Sequence, residues 1–410
     1  MLLGFKTELK VNITQRILLA KHAGTARHAY NWGLALCKKL LKYNKENPEE
    51  RLKFPSSIDL HKLLVALVKP THDWYYEVSK CAPQYALRQL RQAFNDFFKK
   101  KKINGKPVGF PRFKKKSRHN SFTLDGSIKV IDHFQIKVPI IGVLKTYERL
   151  PKGFKPKNVT ISRQADRWFI SFKLEIEPES TSKITKSVGV DLGIKNLAIL
   201  STGEVIEGAK SYKKLEQKLR RLQRDVSRKE LKSNNWYKAQ LKVARLHRRI
   251  ANLRKDTLHK LTTNLAKNHG QIVIEDLNVL GMMRNRKLSK AIADMGLFEF
   301  RRQLNYKCEL YGSQLIIADR FFPSSKTCSA CGQVKKTLTL SERTFNCECG
   351  FSCDRDLNAS YNLVRIADAE FTPVDRVQPT VLDEAGTKSQ INDTQDYVQL
   401  CLPLGNFVQF

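Results

Sequence analysis

No apolar run in these 410 residues approaches the roughly 18 that a membrane-spanning helix requires. The opening Met-Leu-Leu-Gly-Phe-Lys-Thr-Glu lacks the charged segment and long apolar stretch of a secretory signal. Neither secretion nor membrane insertion is therefore expected, and a prokaryotic cytosol or nucleoid is the expected location. A disulfide framework is missing too. Nine cysteines is an odd number, and five of them crowd into 328–353. In a cytosolic protein such a cluster holds metal more readily than it forms bridges. Acidic residues are scarce: 39 Asp and Glu stand against 74 Lys and Arg, a net charge of +35. A field of that sign and size attracts polyanions, which makes nucleic acid the expected partner class.

What is present suffices for two or three compact units, since 41% of the residues are hydrophobic. Alternating residues at 5–11 predict a strand. Three- and four-residue apolar steps predict helices over 15–43 and 83–102. Short alternating segments between Asp-Gly, Pro and Lys-Gly punctuation predict strands within 119–178. Polarity shifts at 179–186, where a domain boundary is expected. An apolar strand at 188–200, a returning strand at 204–206 and two long helices over 212–268, broken near 232–235, follow. Next come a strand at 271–274, a helix at 290–311 and a strand at 314–318. From 366 to 410 seven acids face Arg376 and Lys388, a net charge of −5. With three prolines and no sustained period, that tail is expected to be a disordered appendage.

Cys328-Ser-Ala-Cys331-Gly and Cys347-Glu-Cys349-Gly are the sharpest local signal. Two cysteine pairs on tight turns can bring four thiolates together around Zn²⁺ at roughly 2.3 Å. Gly332 and Gly350 allow the positive φ that aims backbone amides at the sulfurs. The second pair is C-x-C, and Cys353 is the alternative to Cys349. Four thiolates leave no open coordination position, so one structural zinc is expected.

Three carboxylates stand in unusual places. Asp191 interrupts the apolar strand Val188-Gly-Val-Asp-Leu, where an isolated charge would cost several kcal/mol. Lys195 or a bound cation is expected to compensate it. Glu275 ends the apolar Ile272-Val-Ile. Asp354 and Asp356 open a helix, Asp354 with the chemistry of an N-cap. An Asp on a strand hairpin, a Glu on a later strand and an Asp at a helix start form the acidic set of an RNase H-like nuclease. Two Mg²⁺ ions roughly 4 Å apart require such a bridging carboxylate with others flanking it. Elsewhere, Gly109-Phe-Pro-Arg-Phe-Lys-Lys-Lys116 interleaves basic residues with Phe110 and Phe113. Arg112, Lys114, Lys115 and Lys116 can hold phosphates, while the rings can either stack on bases or be buried.

The motifs G-V-D-L-G-x-K at 189–195, I-E-D-L at 274–277, S-S-K-T-C-S-x-C-G at 324–332 and C-G-x-x-x-D-R-D-x-N-A at 349–359 occur in this order. With Y-N-W at 30–32 and G-F-P-R-F-K-K-K at 109–116, the chain resembles TnpB over about residues 1–365. TnpB is the RNA-guided nuclease family of insertion-sequence transposons, related to type V CRISPR effectors. The resemblance implies a multidomain α+β protein. A wedge β-barrel (1–12 and 106–180) is interrupted by a helical recognition domain (13–105). An RNase H-like RuvC nuclease domain (181–320 and 354–366) follows, carrying an inserted zinc ribbon (321–353), with 367–410 as the acidic tail. It implies Asp191, Glu275 and Asp356 as catalytic Mg²⁺ ligands, Mn²⁺ being an alternative ion. Asp356 is preferred to Asp354 because the family's last acid lies two residues before the Asn of D-x-N-A. It also implies a guide RNA and double-stranded target DNA as partners, a monomer, and Gln84 and Arg88 near a target-adjacent motif. The competing expectation is a regulator that binds RNA and DNA without cutting.

Overall fold

The computed structural model describes residues 1–103, 106–116, 120–151, 153–339 and 341–367. The expected acidic tail, from 368 onward, lies outside the described residues. No helix among the described residues is long and apolar enough to cross a membrane.

The first unit opens with strand β1 (Leu2–Lys10) and helix α1 (Ile13–Glu46). Asn12 starts α1 with a reciprocal cap: its Oδ1 accepts from Gln15 N at 2.8 Å, and Gln15 Oε1 accepts from Asn12 N at 3.2 Å. Helix α2 (Ser57–Leu63) and helix α3 (Cys81–Phe98) follow, then a small hairpin of β2 (Lys102–Ile103) and β3 (Lys106–Pro107). Six further strands are β4 (Ser121–Asp125), β5 (Lys129–Asp132), β6 (Gln135–Val138), β7 (Gly142–Thr146), β8 (Asn158–Gln164) and β9 (Arg167–Glu175). They pair antiparallel with β1 in the order β4-β8-β9-β1-β7-β6-β5. Strand β1 pairs with β9 along Leu2–Glu8 and with β7 at Leu9 and Lys10, so it joins two halves of the sheet.

Period-two burial selects the inner face: Trp168, Ile170, Phe172 and Leu174 of β9 are all buried. The core they enter also contains Leu19, Ala26 and Leu34 of α1 and Leu87, Leu90 and Phe94 of α3. The helical and strand segments expected as separate domains therefore share one continuous core.

The second unit contains β10 (Thr185–Leu192), β11 (Ala198–Leu200), β12 (Val205–Ile206), α4 (Ser211–Ser227), α5 (Asn234–Asn268) and β13 (His269–Glu275). After these come α6 (Val279–Met282), α7 (Ser289–Met295), α8 (Leu297–Tyr311) and β14 (Gln314–Ala318). A hairpin of β15 (Thr344–Asn346) and β16 (Ser352–Asp354) precedes α9 (Arg355–Ala367). The five-stranded sheet runs β12-β11-β10-β13-β14, with β10, β13 and β14 parallel. Two expectations are corrected. The apolar run 188–200 is not one strand but two antiparallel arms, Asp191 facing Ile199. The helix at 290–311 breaks at Gly296, whose φ of 73° no helix interior accommodates. The boundary at 179–186 holds a linker tied to the second unit: Glu179 N donates to Leu310 O and Ile184 N to Asn268 O.

Helices cover both faces of this sheet. Val188, Val190, Ile272 and Ile274 face α5 and α8, while Val273 and Ala318 face Leu363 of α9. Alternation then places Gly189 and Asp191 on the α9 face. A Cβ built on Gly189 would lie 2.0 Å from Ser360 O and 2.7 Å from Val364 N, so the α9 backbone rests directly on the strand. Gly189→Ala must push α9 away. We expect a melting temperature lower by several degrees, since overpacking costs about 1–3 kcal/mol or more. Gly4→Ala, which meets nothing within 4 Å, should leave it unchanged; thermal melts of both variants test this.

Candidate functional site

The strand register brings the first two acids together. Val190 pairs with Ile274 across β10 and β13, so Asp191 and Glu275 stand one residue beyond that pair on neighbouring strands. Adjacent strands lie roughly 4.8 Å apart, and both side chains follow the parity of Gly189 and Val273 toward α9. Helix α9 contributes the third. Asp354 Oδ1 accepts from Asp356 N at 2.9 Å and from Leu357 N at 3.1 Å, the bonding of an N-cap. Asp354 is exposed, whereas Asp356 is half-buried in the first turn. One acid caps the helix, and the other is carried inside its first turn.

Burial first, then the charges of Glu275 and Asp356, pushes the Asp191 carboxyl up to about 8. Arg355 opposes that rise; its guanidinium also reaches Asp356 Oδ1 at 3.3 Å. The expectation that Lys195 balances Asp191 is corrected. Lys195 is exposed in the turn between β10 and β11, and the cation that acts on the carboxyl comes from α9. Asp276 points to the opposite side of its strand and is neutralised there by Arg301, at 2.5 Å, and Arg320. Those two guanidinium groups hold its carboxyl below the usual range. Of the two adjacent acids in I-E-D-L, then, only Glu275 is left beside Asp191.

The cysteine cluster is compact. The sulfurs of Cys328, Cys331, Cys347 and Cys349 all lie within 4.8 Å of one another. Cys328 and Cys349 are 3.7 Å apart, Cys331 and Cys347 3.6 Å. Bonds of roughly 2.3 Å to one tetrahedral ion would place sulfurs about 3.8 Å apart, so the set fits Zn²⁺. Gly332 and Gly350 have φ of 83° and 86°. The Gln333 backbone amide, next to Gly332, with the neighbouring thiols, draws Cys331 down to about 7. Cys353 stands outside the group, its Sγ donating to Asp354 O at 3.2 Å. The tighter C-x-C pair closes the site without it. Among the described residues no three carboxylates approach one another as closely as these sulfurs.

The loop leading to the ribbon is bolted to α9 by Asn358, which stands in D-x-N-A, and by Asn362, one turn further on and outside the motifs. Asn358 Nδ2 and Asn362 Nδ2 both donate to Thr327 O, at 2.7 and 2.6 Å. Asn358 Oδ1 accepts from Ser329 N at 3.0 Å, and Asn362 Nδ2 also reaches Ser324 O at 2.8 Å. Ser324 Oγ in turn donates to Glu275 Oε1. The signal was available, since S-S-K-T-C and D-x-N-A are two halves of one hydrogen-bonded clamp.

The Y-N-W and G-F-P-R-F-K-K-K motifs also meet. Asn31 Oδ1 accepts from Lys114 N at 2.7 Å while its Nδ2 donates to Lys114 O at 3.0 Å. Lys114 Nζ lies 4.0 Å over the Tyr30 ring and 3.2 Å from Gln89 Oε1; burial draws it down to about 8. Phe110 packs edge-on against Phe94 and Phe97 and so belongs to the core, whereas Phe113 is 47% exposed. Arg112, Lys115 and Lys116 are exposed on this loop. On the adjoining α3, Gln84 is half-buried in the first turn and the Arg88 guanidinium lies 4.9 Å over the Tyr85 ring.

Comparison with known proteins agrees with this architecture. A family model for IS605 OrfB described as "Probable transposase" matches residues 171–286, and a "Cas12f1-like, TNB domain" model matches 298–363. A "Helix-turn-helix domain" model matches 1–46, which here is strand β1 followed by the single unbroken helix α1. A Streptomyces pristinaespiralis protein named "Putative RNA-guided DNA endonuclease" is 40% identical over 74% of this chain and 75% of its own. The Escherichia coli K12 protein "Putative RNA-guided DNA endonuclease InsQ" is 33% identical over 92% of this chain and 94% of its own. The cryo-EM structure of a Cas12f1–sgRNA–target DNA complex superposes with a TM-score of 0.55 at 14% identity. It covers 86% of this chain and 83% of that one, a shared multidomain fold. Identity of 33% over nine-tenths of both chains makes the chain a member of the TnpB family, that of the IS605 OrfB proteins.

Proposed function

We propose that this chain is an RNA-guided DNA endonuclease that cuts at one site built from Asp191, Glu275 and Asp356. The observation that carries the reading is the Asp191 carboxyl, pushed to about 8 by burial and two neighbouring acids, with one opposing guanidinium. Carboxylates crowded this way on rigid elements repel one another until divalent cations join them. Asp191, Glu275 and Asp356 are hard oxygen donors of the kind Mg²⁺ takes, and they would be the residues to hold it. Mg²⁺ there would activate water and stabilise the leaving oxygen. The protein's own share is to carry the three donors on β10, β13 and α9, elements packed against one another.

The finer domain assignment is part of the same proposal. Residues 1–12 and 106–180 serve as the wedge, 13–105 as the recognition helices packed on it, 181–320 and 354–366 as the RuvC-like nuclease, and 321–353 as the ribbon. Gln84 and Arg88 lie on α3, Arg112, Lys115 and Lys116 are exposed on the loop that follows β3, and the half-buried Lys114 ties that loop to Tyr30 and Gln89. This basic face would contact RNA and DNA backbone. Sequence choice would come from guide pairing.

The test is purification with co-expressed RNA, sequencing of the RNA that copurifies, and incubation with a matching plasmid and Mg²⁺. Linearisation that requires both RNA and a matching target is expected. A discrete RNA bound with no cutting at any Mg²⁺ concentration would leave the regulator reading in its place.

A further inference from the structure

We infer that Ser324 is a positioning residue for Glu275, fixing which carboxylate oxygen is offered to a divalent cation. This inference rests on the acid-site reading above. Ser324 is 4% exposed, and its hydroxyl donates to Glu275 Oε1. A deprotonated carboxylate only accepts, so the bond orients the hydroxyl as donor and engages one oxygen, leaving the other for a cation. The serine cannot swing away. Its N donates to Phe322 O at 2.8 Å, its carbonyl accepts from Asn362 Nδ2 at 2.8 Å, and the following loop is held to α9 through Thr327. Glu275 sits at the end of β13 with three side-chain torsions to fix. Arg301 and Arg320, which reach the neighbouring residue, are engaged by Asp276. Ser324 is thus the group that orients Glu275. It also links the acid site to the base of the ribbon, so that ribbon and site form one bonded unit.

Groups that orient metal-binding carboxylates typically change metal affinity 10–100-fold when removed. Two readouts test this. In the first, Fe²⁺ with ascorbate and peroxide cleaves the polypeptide beside bound metal, and fragments ending near 191, 275 and 356 are quantified against Fe²⁺ concentration. Ser324→Ala should need about tenfold more Fe²⁺, Ser324→Thr should recover most of the loss, and Ser325→Ala should match wild type. In the second, the Mg²⁺ concentration for half-maximal plasmid cleavage should rise about tenfold in Ser324→Ala, with the rate at saturating Mg²⁺ near wild type. Zinc content should stay at one per chain in all variants. Fe²⁺ and Mg²⁺ titrations of Ser324→Ala that overlay wild type, or loss of its zinc, would overturn the inference while leaving the acid site standing. If wild type and Glu275→Ala gave identical fragment patterns, the acid-site reading would itself fall, and this inference with it.

Discussion

Asp191→Asn is expected to lower plasmid cleavage by about 10³-fold or more while the copurifying RNA stays bound. Metal-borne stabilisation of a phosphodiester transition state is worth several kcal/mol, and each 1.36 kcal/mol is a factor of ten. The amide would fill the same space but bring no charge to bridge two cations. The substitution should also change stability, in a direction that separates this site from an ordinary buried ion pair. The folded Asp191 carboxyl lies near 8, above the roughly 3.9 of an unfolded chain. The folded state therefore holds the proton more tightly, and the stability this confers is complete below about pH 4 and lost as pH rises through about 8. In EDTA, wild type should melt progressively below Asp191→Asn between pH 5 and pH 8, by several degrees at the upper end. Millimolar Mg²⁺ should narrow that gap. A gap that does not vary with pH would mean the carboxyl is already compensated, and the argument for cations at this site would fail.

What could be read from the sequence was whatever broke a local rule. Asp191 stands out because the strand around it is apolar, and the four cysteines because their spacing recurs. Partners supplied by tertiary packing were not legible. Lys195 is near Asp191 in the chain, but the turn exposes it, and Arg355 arrives from a helix 164 residues later. The run 188–200 looks like one strand because both arms of the hairpin are apolar; only Gly193 and Asn196 hint at the turn. Phe110 and Phe113 are chemically alike, and what decides between them is where α3 ends: Phe94 and Phe97 receive one ring and leave the other out. The division of 1–180 into barrel and helices reflects chain order, but α1 and α3 bury their stripes on the same core as the sheet. The seven-stranded order leaves β4 and β5 as edges, and α1 and α3 pack against β4. A shift of α1 or α3 would therefore bear directly on the sheet.

Removing the zinc is expected to abolish cleavage, although no zinc ligand touches the acid site. Structural zinc in small folds contributes apparent binding energies of about 10–16 kcal/mol, far more than the short hairpin of β15 and β16 can supply alone. Without the ion the turns at 328–332 and 347–350 lose their common centre. The loop 324–329 then keeps its bonds to Asn358, Asn362 and Glu275 but loses the anchor at its Cys328 end. Since that loop carries Ser324 to Glu275 and grips the helix that bears Asp356, two of the three acids would lose their bearings at once. Cys349→Ser should therefore bind less than one-tenth of an equivalent of zinc by elemental analysis, expose new protease sites within 328–353, and cut no plasmid. RNA held on the first unit should remain. Cys353→Ser is the discriminating control, because its sulfur is turned toward Asp354 and it should keep both the zinc and the activity. Loss of zinc in Cys353→Ser with retention in Cys349→Ser would exchange their roles. Full cleavage by a zinc-free protein would show that α9 and Glu275 hold their places without the ribbon, breaking the proposed connection between the two metal sites.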